Sequence, residues 1–454
     1  MAFQSINPFT GETLQSLAAW DRERTESALQ QVAAATPAWA ATPLLQRCDL
    51  LRKAAEILRT RKDTLAHLIT LEMGKLYTES QAEIEKCALG CDYYAQNASE
   101  FLKDEMITTD AGKSYVAYQP LGSVLAVMPW NFPFWQVFRF AAPALAAGNT
   151  GVLKHASNVP QCALAIEDIF KQAGFPDGVF RTLMIRAADV KAVIEDPRIA
   201  AVTLTGSEPA GRSVAATAGD NIKKSVLELG GSDAFIVLED ADLIDTVKNA
   251  VISRYLNGGQ SCIAAKRFIV VDAIADRFVS AFKTAVEALK TGDPMDPATT
   301  IAPMARLDLR DDLHRQVQDS ITAGAVAVTG CEPLAGSGAF YQPSILDHVE
   351  AGMRAYEEEL FGPVAIVIRA NDETDALRIA NESRFGLGGS VWTQDLARGE
   401  RLARQLQCGA AFVNGFVKSD PRIPFGGVKA SGYGRELSHH GIHEFVNAKT
   451  IWIK

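Results

Sequence analysis

Cysteine, long apolar runs and excess positive charge are all scarce in this chain, and each shortage removes a class of protein. The 454 residues hold only seven cysteines. An odd number, scattered without framework spacing, excludes a disulfide scaffold and predicts a reducing compartment. No uninterrupted apolar stretch reaches membrane-spanning length, so no membrane partner is expected. The opening residues, Met1-Ala2-Phe3-Gln4-Ser5-Ile6-Asn7-Pro8, carry neither a basic start nor an apolar core. No signal peptide is therefore expected, and the cytoplasm is the default location. Lys and Arg number 45 against 54 Asp and Glu, a formal net charge of −9, which argues against nucleic acid as a partner. Repeats, low-complexity tracts and long flexible linkers are missing. So is a Gly-x-Gly-x-x-Gly opening a helix, the common dinucleotide fingerprint.

What is present is ordinary globular material, 48% hydrophobic and 22% charged, in a chain too long for one core, so two or three domains are expected. The first hundred residues read as helices: Leu45, Cys48, Leu51, Ala55 and Leu58 recur at helical spacing, and Leu65, Leu68, Ile69 and Met73 continue it. From about Ser114 the character changes. Apolar strand-like runs at 123–128, 151–154 and 200–204 alternate with helix-like segments at 142–147 and 163–173. That alternation predicts a doubly wound α/β domain. Runs at 234–238, 268–271, 364–368, 390–393 and 410–413 predict a second one. The terminal run 450–454 reads as a strand with no partner nearby in sequence, an edge that oligomer formation would cover.

Two residues stand out chemically. Cys262 follows Asn257-Gly258-Gly259-Gln260-Ser261; a thiol beside bare backbone can act as a nucleophile once ionised. Glu228 sits in Leu227-Glu228-Leu229-Gly230-Gly231. A carboxyl in an apolar run has a raised pKa and can serve as a base near neutrality. Pro129-Trp130-Asn131-Phe132-Pro133 closes a buried strand, where open α/β sheets bind ligands, and Asn131 offers an amide donor to an oxyanion. Thr205-Gly206-Ser207 follows a strand and opens a helix, a place suited to a pyrophosphate and equally to an ordinary cap. Lys154 ends a strand and could meet a ribose hydroxyl or a phosphate; Glu358 and Glu359 could hold a ribose diol. Cys87 and Cys91 share a helix face and read as core; His439, His440 and His443 read as surface or interface, so no metal is expected.

In combination these blocks resemble the NAD(P)-dependent aldehyde dehydrogenase superfamily, over essentially the whole chain. The resemblance rests on 129–133, 205–207, 227–231, 259–262, 358–364, Asn414 and 424–436. It implies an α/β fold of two doubly wound Rossmann-type domains with a small β extension for oligomerisation. The implied boundaries are 1–111 and 131–228 for the cofactor, 229–431 for catalysis, and 112–130 with 432–454 bridging subunits of a homodimer or homotetramer. It also implies Cys262 as nucleophile, Asn131 with the Cys262 amide as oxyanion hole, and Glu228 as the base that hydrolyses a thioester. Pro129, Trp130, Lys154, Ser157, Gly206, Ser207, Leu229, Glu359 and Phe361 match positions at the dinucleotide.

The position three after Lys154 is often Glu in the family and here is Ser157. Without that carboxylate a 2′-phosphate is not repelled, so NADP is favoured, with NAD left open. Arg139 and Ser419 match an Arg and a Ser that hold the substrate carboxylate in succinate semialdehyde dehydrogenases. A guanidinium grip on a distal carboxylate is the natural use; an intramolecular salt bridge is the alternative. Trp135, Phe132 and Phe425 would supply apolar walls. Leu256 replaces a second arginine of that subfamily, and Ala264 replaces a second cysteine, so a local disulfide switch is ruled out. The expected substrate is thus succinate semialdehyde or a similar small aldehyde. A broader-range dehydrogenase and a coenzyme A-acylating enzyme are the alternatives, and Glu228 speaks against the second.

Overall fold

The computed structural model describes residues 2–454. Among them two large sheets dominate. The first runs Gly432–Tyr433, Lys224–Glu228, Ile199–Thr205, Ser123–Met128, Thr150–His155, Phe180–Thr182 in spatial order. All neighbours are parallel except Gly432–Tyr433. Strands Ser123–Met128 and Thr150–His155 are almost wholly buried, which is why they read as continuous apolar runs rather than alternating ones. From Ser123–Met128 the chain winds outward one way, then returns through Ile199–Thr205 and winds the other way. The strand ends at Met128 and Thr205 therefore flank a topological switch point, where a crevice forms.

The second sheet runs Val326–Thr329, Ser344–Asp347, Val364–Ala370, Ala265–Val271, Asp233–Val237, Gly388–Trp392, Ala410–Val413. It is parallel apart from the edge strand Val326–Thr329. Each sheet has its own apolar core, so the expectation of two α/β bodies agrees with the structure.

The helical reading of the first hundred residues omits a hairpin, Ala2–Ile6 with Thr13–Ala18. Thr13–Ala18 is mostly exposed, so no apolar run marks it. The C-terminal strand Val446–Ile453 pairs antiparallel with Lys113–Pro120, far away in sequence, and Glu105–Met106 completes that small sheet. Two parts expected in the subunit-bridging extension lie elsewhere. Ser123–Met128 is a central strand of the first large sheet, and Gly432–Tyr433 is its edge. Near-complete burial of 123–128 on both faces is incompatible with a projecting arm.

Candidate active site

Cys262 lies where the two large bodies meet, and its side chain borders two cavities. One is a tunnel of about 100 Å³ that includes Phe132, Trp135, Arg139, Ser419, Phe425 and Lys86. The other, about 270 Å³, is a cleft with Pro129, Trp130, Asn131, Gly206, Ser207, Glu228, Leu229, Glu359 and Phe361 on its walls. The residues predicted for substrate thus gather on one side of the sulfur, and most of those predicted for cofactor on the other. Trp130 and Phe361 face each other edge to face across the cleft, ring centroids 5.8 Å apart. Ser157 lines a separate, larger cavity with Asn158 and Arg306. Lys154 is buried with no hydrogen bond or ion pair among the described residues.

The loop before the nucleophile is shaped by backbone. Asn257, Gly258 and Gly259 all adopt left-handed φ, at 56°, 59° and 73°, a conformation glycine takes without steric cost. A Cβ on Gly259 would collide with the Gly362 carbonyl. Beyond the turn, Lys266 Nζ donates to the carbonyls of Ser261 and Cys262, both at 2.8 Å, and pairs with Glu359 at 2.9 Å. Asn131 Nδ2 donates to the Gln260 carbonyl at 3.0 Å, and its Oδ1 accepts from Gln136 Nε2 at 3.0 Å. That leaves Asn131 one amide proton to offer. Among the described residues the Cys262 backbone N–H has no acceptor either. The two free donors are the kind of group that an oxyanion needs.

Burial pushes the Cys262 thiol up to about 12, with Arg139 and Lys266 pulling the other way. At neutral pH the resting sulfur is protonated, and attack needs a base. Glu228, only 2% exposed, is the carboxyl in the same cleft with both oxygens free of hydrogen bonds. Burial, and then the neighbouring Glu436, raise it well above the usual carboxylate range against the pull of Arg139 and Arg435. A Cβ on Gly426 would come to 2.6 Å from Glu228 Oε1; glycine there leaves the carboxylate its place.

Arg139 lines the tunnel, yet it has an intramolecular partner: Nε pairs with the buried Glu436. Its Nη2 reaches Thr205 Oγ1 at 3.3 Å, and the guanidinium stacks 4.4 Å from the Phe425 ring centroid. The alternative weighed for this arginine is therefore realised at least at one nitrogen. Arg254 is fully buried and donates to backbone, including the Leu360 carbonyl at 2.9 Å, so it stays out of the tunnel. Glu359, expected at a ribose, is occupied by Lys266 and by the Gly231 N–H at 3.1 Å. Cys87 and Cys91 are core, and no cluster of metal-ligating side chains occurs among the described residues.

Sequence reasoning missed Lys86, Lys266, Gln136 and Glu436. Lys266 is the second residue of the strand Ala265–Val271, just ahead of the apolar run that marks it in sequence. Lys86 adjoins the helical stripe of Ile84, Cys87, Ala88 and Cys91, and a lysine bordering a buried stripe was the available signal.

The chain matches the aldehyde dehydrogenase family over residues 1–451. A probable NADP⁺-dependent succinate-semialdehyde dehydrogenase of Synechocystis sp. is 53% identical over 453 residues, covering all of both chains. An NADP⁺-dependent succinate-semialdehyde dehydrogenase of Mycobacterium ulcerans is 50% identical over 459 residues, also covering both in full. Among solved structures, the Streptococcus pyogenes succinic semialdehyde dehydrogenase in complex with NADP⁺ superposes with a TM-score of 0.98 at 40% identity, covering all of both chains.

Proposed function

This chain belongs to the aldehyde dehydrogenase family, and from that premise we propose that it oxidises succinate semialdehyde to succinate with NADP, through a thioester on Cys262. The observation that carries the reading is the position of Cys262 on the shared border of a tunnel that holds Arg139 and Lys86 and a cleft that holds Glu228 and Glu359.

The residues suit a dinucleotide. Ser207 precedes the helix Glu208–Asp220 and makes no side-chain capping bond, leaving hydroxyl and N-terminal amides for phosphate oxygens. The Lys154 ammonium, desolvated and unpaired, suits ribose or phosphate oxygens. Asn158 Nδ2 is buried without an acceptor beside Ser157, where a 2′-phosphate would meet no carboxylate from position 157. We therefore assign Lys154 and Ser157 to the ribose end, and Pro129, Trp130, Gly206, Ser207, Leu229 and Phe361 to the cleft. Glu359 serves there once it exchanges part of its bond to Lys266. NADP, when bound, supplies the acceptor for the hydride that leaves the substrate carbon.

The protein's own part follows from its chemistry. Glu228 takes the Cys262 proton, and the sulfur bonds to the aldehyde carbon. Asn131 Nδ2 and the Cys262 N–H hold the resulting alkoxide. After oxidation the carbon is a thioester. Glu228, once it has passed the thiol proton to solvent, takes a proton from water, the hydroxide adds to the carbonyl, and the C–S bond breaks with the electron pair returning to sulfur. Phe132, Trp135 and Phe425 wall the carbon chain, while Arg139 and Ser419 face the carboxylate end. The first large sheet would carry the cofactor and the second the nucleophile, and a homo-oligomer in the cytoplasm completes the reading.

An aldehyde panel run with NADP and NAD tests it. The expected result is the highest kcat/KM for succinate semialdehyde with NADP, and loss of at least about 10³-fold in Cys262→Ala. Retained oxidation in that variant would end the assignment.

A further inference from the structure

Three cations border the tunnel: Arg139, Lys418 and Lys86. Arg139 has its charge met by Glu436. Lys418 is exposed to solvent. Lys86, half-buried on the helix Tyr77–Phe101, has no carboxylate within ion-pairing distance among the described residues. The carboxylates nearest to it in charge are already engaged. Glu83 accepts from the backbone N–H groups of Phe134 and Trp135 at 2.9 and 3.0 Å and pairs with Lys75. Asp420 pairs with Arg422 at 2.6 Å.

Lys86 is instead held by a neutral frame. Its Nζ donates to Ser419 Oγ at 2.7 Å and lies 4.6 Å from the Trp135 ring centroid. Ser419 Oγ also accepts from Trp135 Nε1 at 3.0 Å. With both lone pairs filled, the hydroxyl must aim its own proton elsewhere, and it has no acceptor among the described residues. Lys86 keeps two ammonium protons free. The tunnel end therefore presents donors only, on a desolvated cation lacking a counter-charge. An acceptor-only anion satisfies every one of them; the alkyl end of a neutral aldehyde satisfies none, and a cationic end is repelled by Lys86.

We propose that Lys86, working through the same Ser419 hydroxyl, is the residue that makes this enzyme select aldehydes ending in a carboxylate. The proposal rests on the succinate semialdehyde reading above. Burial, followed by the repulsion of Arg139, lowers Lys86 to about 8, so a bound carboxylate would relieve an existing cost.

The test compares wild type with Lys86→Met, Lys86→Arg and Arg139→Gln, measuring kcat/KM for succinate semialdehyde and for butanal at saturating NADP. Inhibition by succinate is measured alongside. In Lys86→Met the value for succinate semialdehyde should fall roughly 10- to 100-fold, mainly through KM, while butanal changes less than about 3-fold. Succinate inhibition should weaken in parallel, and Lys86→Arg should retain most of the selectivity. Arg139→Gln should lower both substrates, because Glu436 and Glu228 lose their shared counter-charge, and succinate semialdehyde further, because Arg139 also faces the carboxylate end. Equal losses for the two aldehydes in Lys86→Met, or an unchanged value for succinate semialdehyde, would overturn the proposal. Unimpaired butanal turnover reports that the variant folds. If wild type itself favours butanal, the functional reading falls and takes this proposal with it. If wild type favours succinate semialdehyde and Lys86→Met still does, the proposal alone falls.

Discussion

Glu228 and Cys262 are mismatched partners at rest: the sulfur is pushed up to about 12 and the carboxyl is pushed up as well, both by burial. A base with a raised pKa is a stronger acceptor for a reluctant proton, so the same desolvation that silences the thiol also equips its partner. The sign for activity follows. Glu228 works only when ionised, so turnover should rise with pH, with its acid limb displaced above that of an ordinary glutamate. Glu228→Gln should abolish that limb. It should also slow NADPH formation in the first turnover, because the thiol loses its base, and lower the steady state by about 10²- to 10⁴-fold. Stopped-flow absorbance at several pH values reads both effects. A variant with full steady-state turnover would exclude Glu228 as the hydrolytic base.

At the scale of elements, the nucleophile is aimed by a loop rather than by a helix or strand. The left-handed run Asn257–Gly259 turns the chain, and Gly259 fits against the Gly362 carbonyl where no side chain can. Gly259→Ala must shift the loop, and a displacement of about 1 Å at a reacting atom costs on the order of 10² in rate. We expect kcat to fall by about that factor while NADP binding, followed by protein fluorescence, changes little. Much of this was legible beforehand, because adjacent glycines beside a cysteine imply bare backbone. Strands of the parallel sheets were legible too, since burial on both faces writes itself as an apolar run. What escaped were contacts between distant segments. Glu436 meets Arg139, Lys266 meets Glu359, and Lys86 meets Ser419 across 333 positions. A pairing of that kind leaves no local pattern, so the sequence alone left the partner of Arg139 open between substrate and protein.

At the scale of the whole molecule, the two α/β bodies were readable from their alternation, but the pairing within the small sheet was not. Its strands, Glu105–Met106, Lys113–Pro120 and Val446–Ile453, come from widely separated segments. Within one protomer Val446–Ile453 pairs on one side alone, and its far edge is open. Trp452 and Ile453 are about half exposed, at 50% and 48%, and Met106 and Ile107 at 64% and 47%. An open edge with apolar side chains is a template for another chain. The proposed homo-oligomer uses it, and the consequence is specific. Trp452→Glu places a carboxylate on that edge without touching either cavity, so it should lower the oligomer toward smaller species in light scattering at micromolar concentration. Turnover per active site, measured at a concentration where the variant still populates the smaller species, then tells whether the site is complete within one protomer. Cys262, Glu228 and Asn131 meet within one protomer, so activity should persist. An unchanged mass would show that subunits join through another surface.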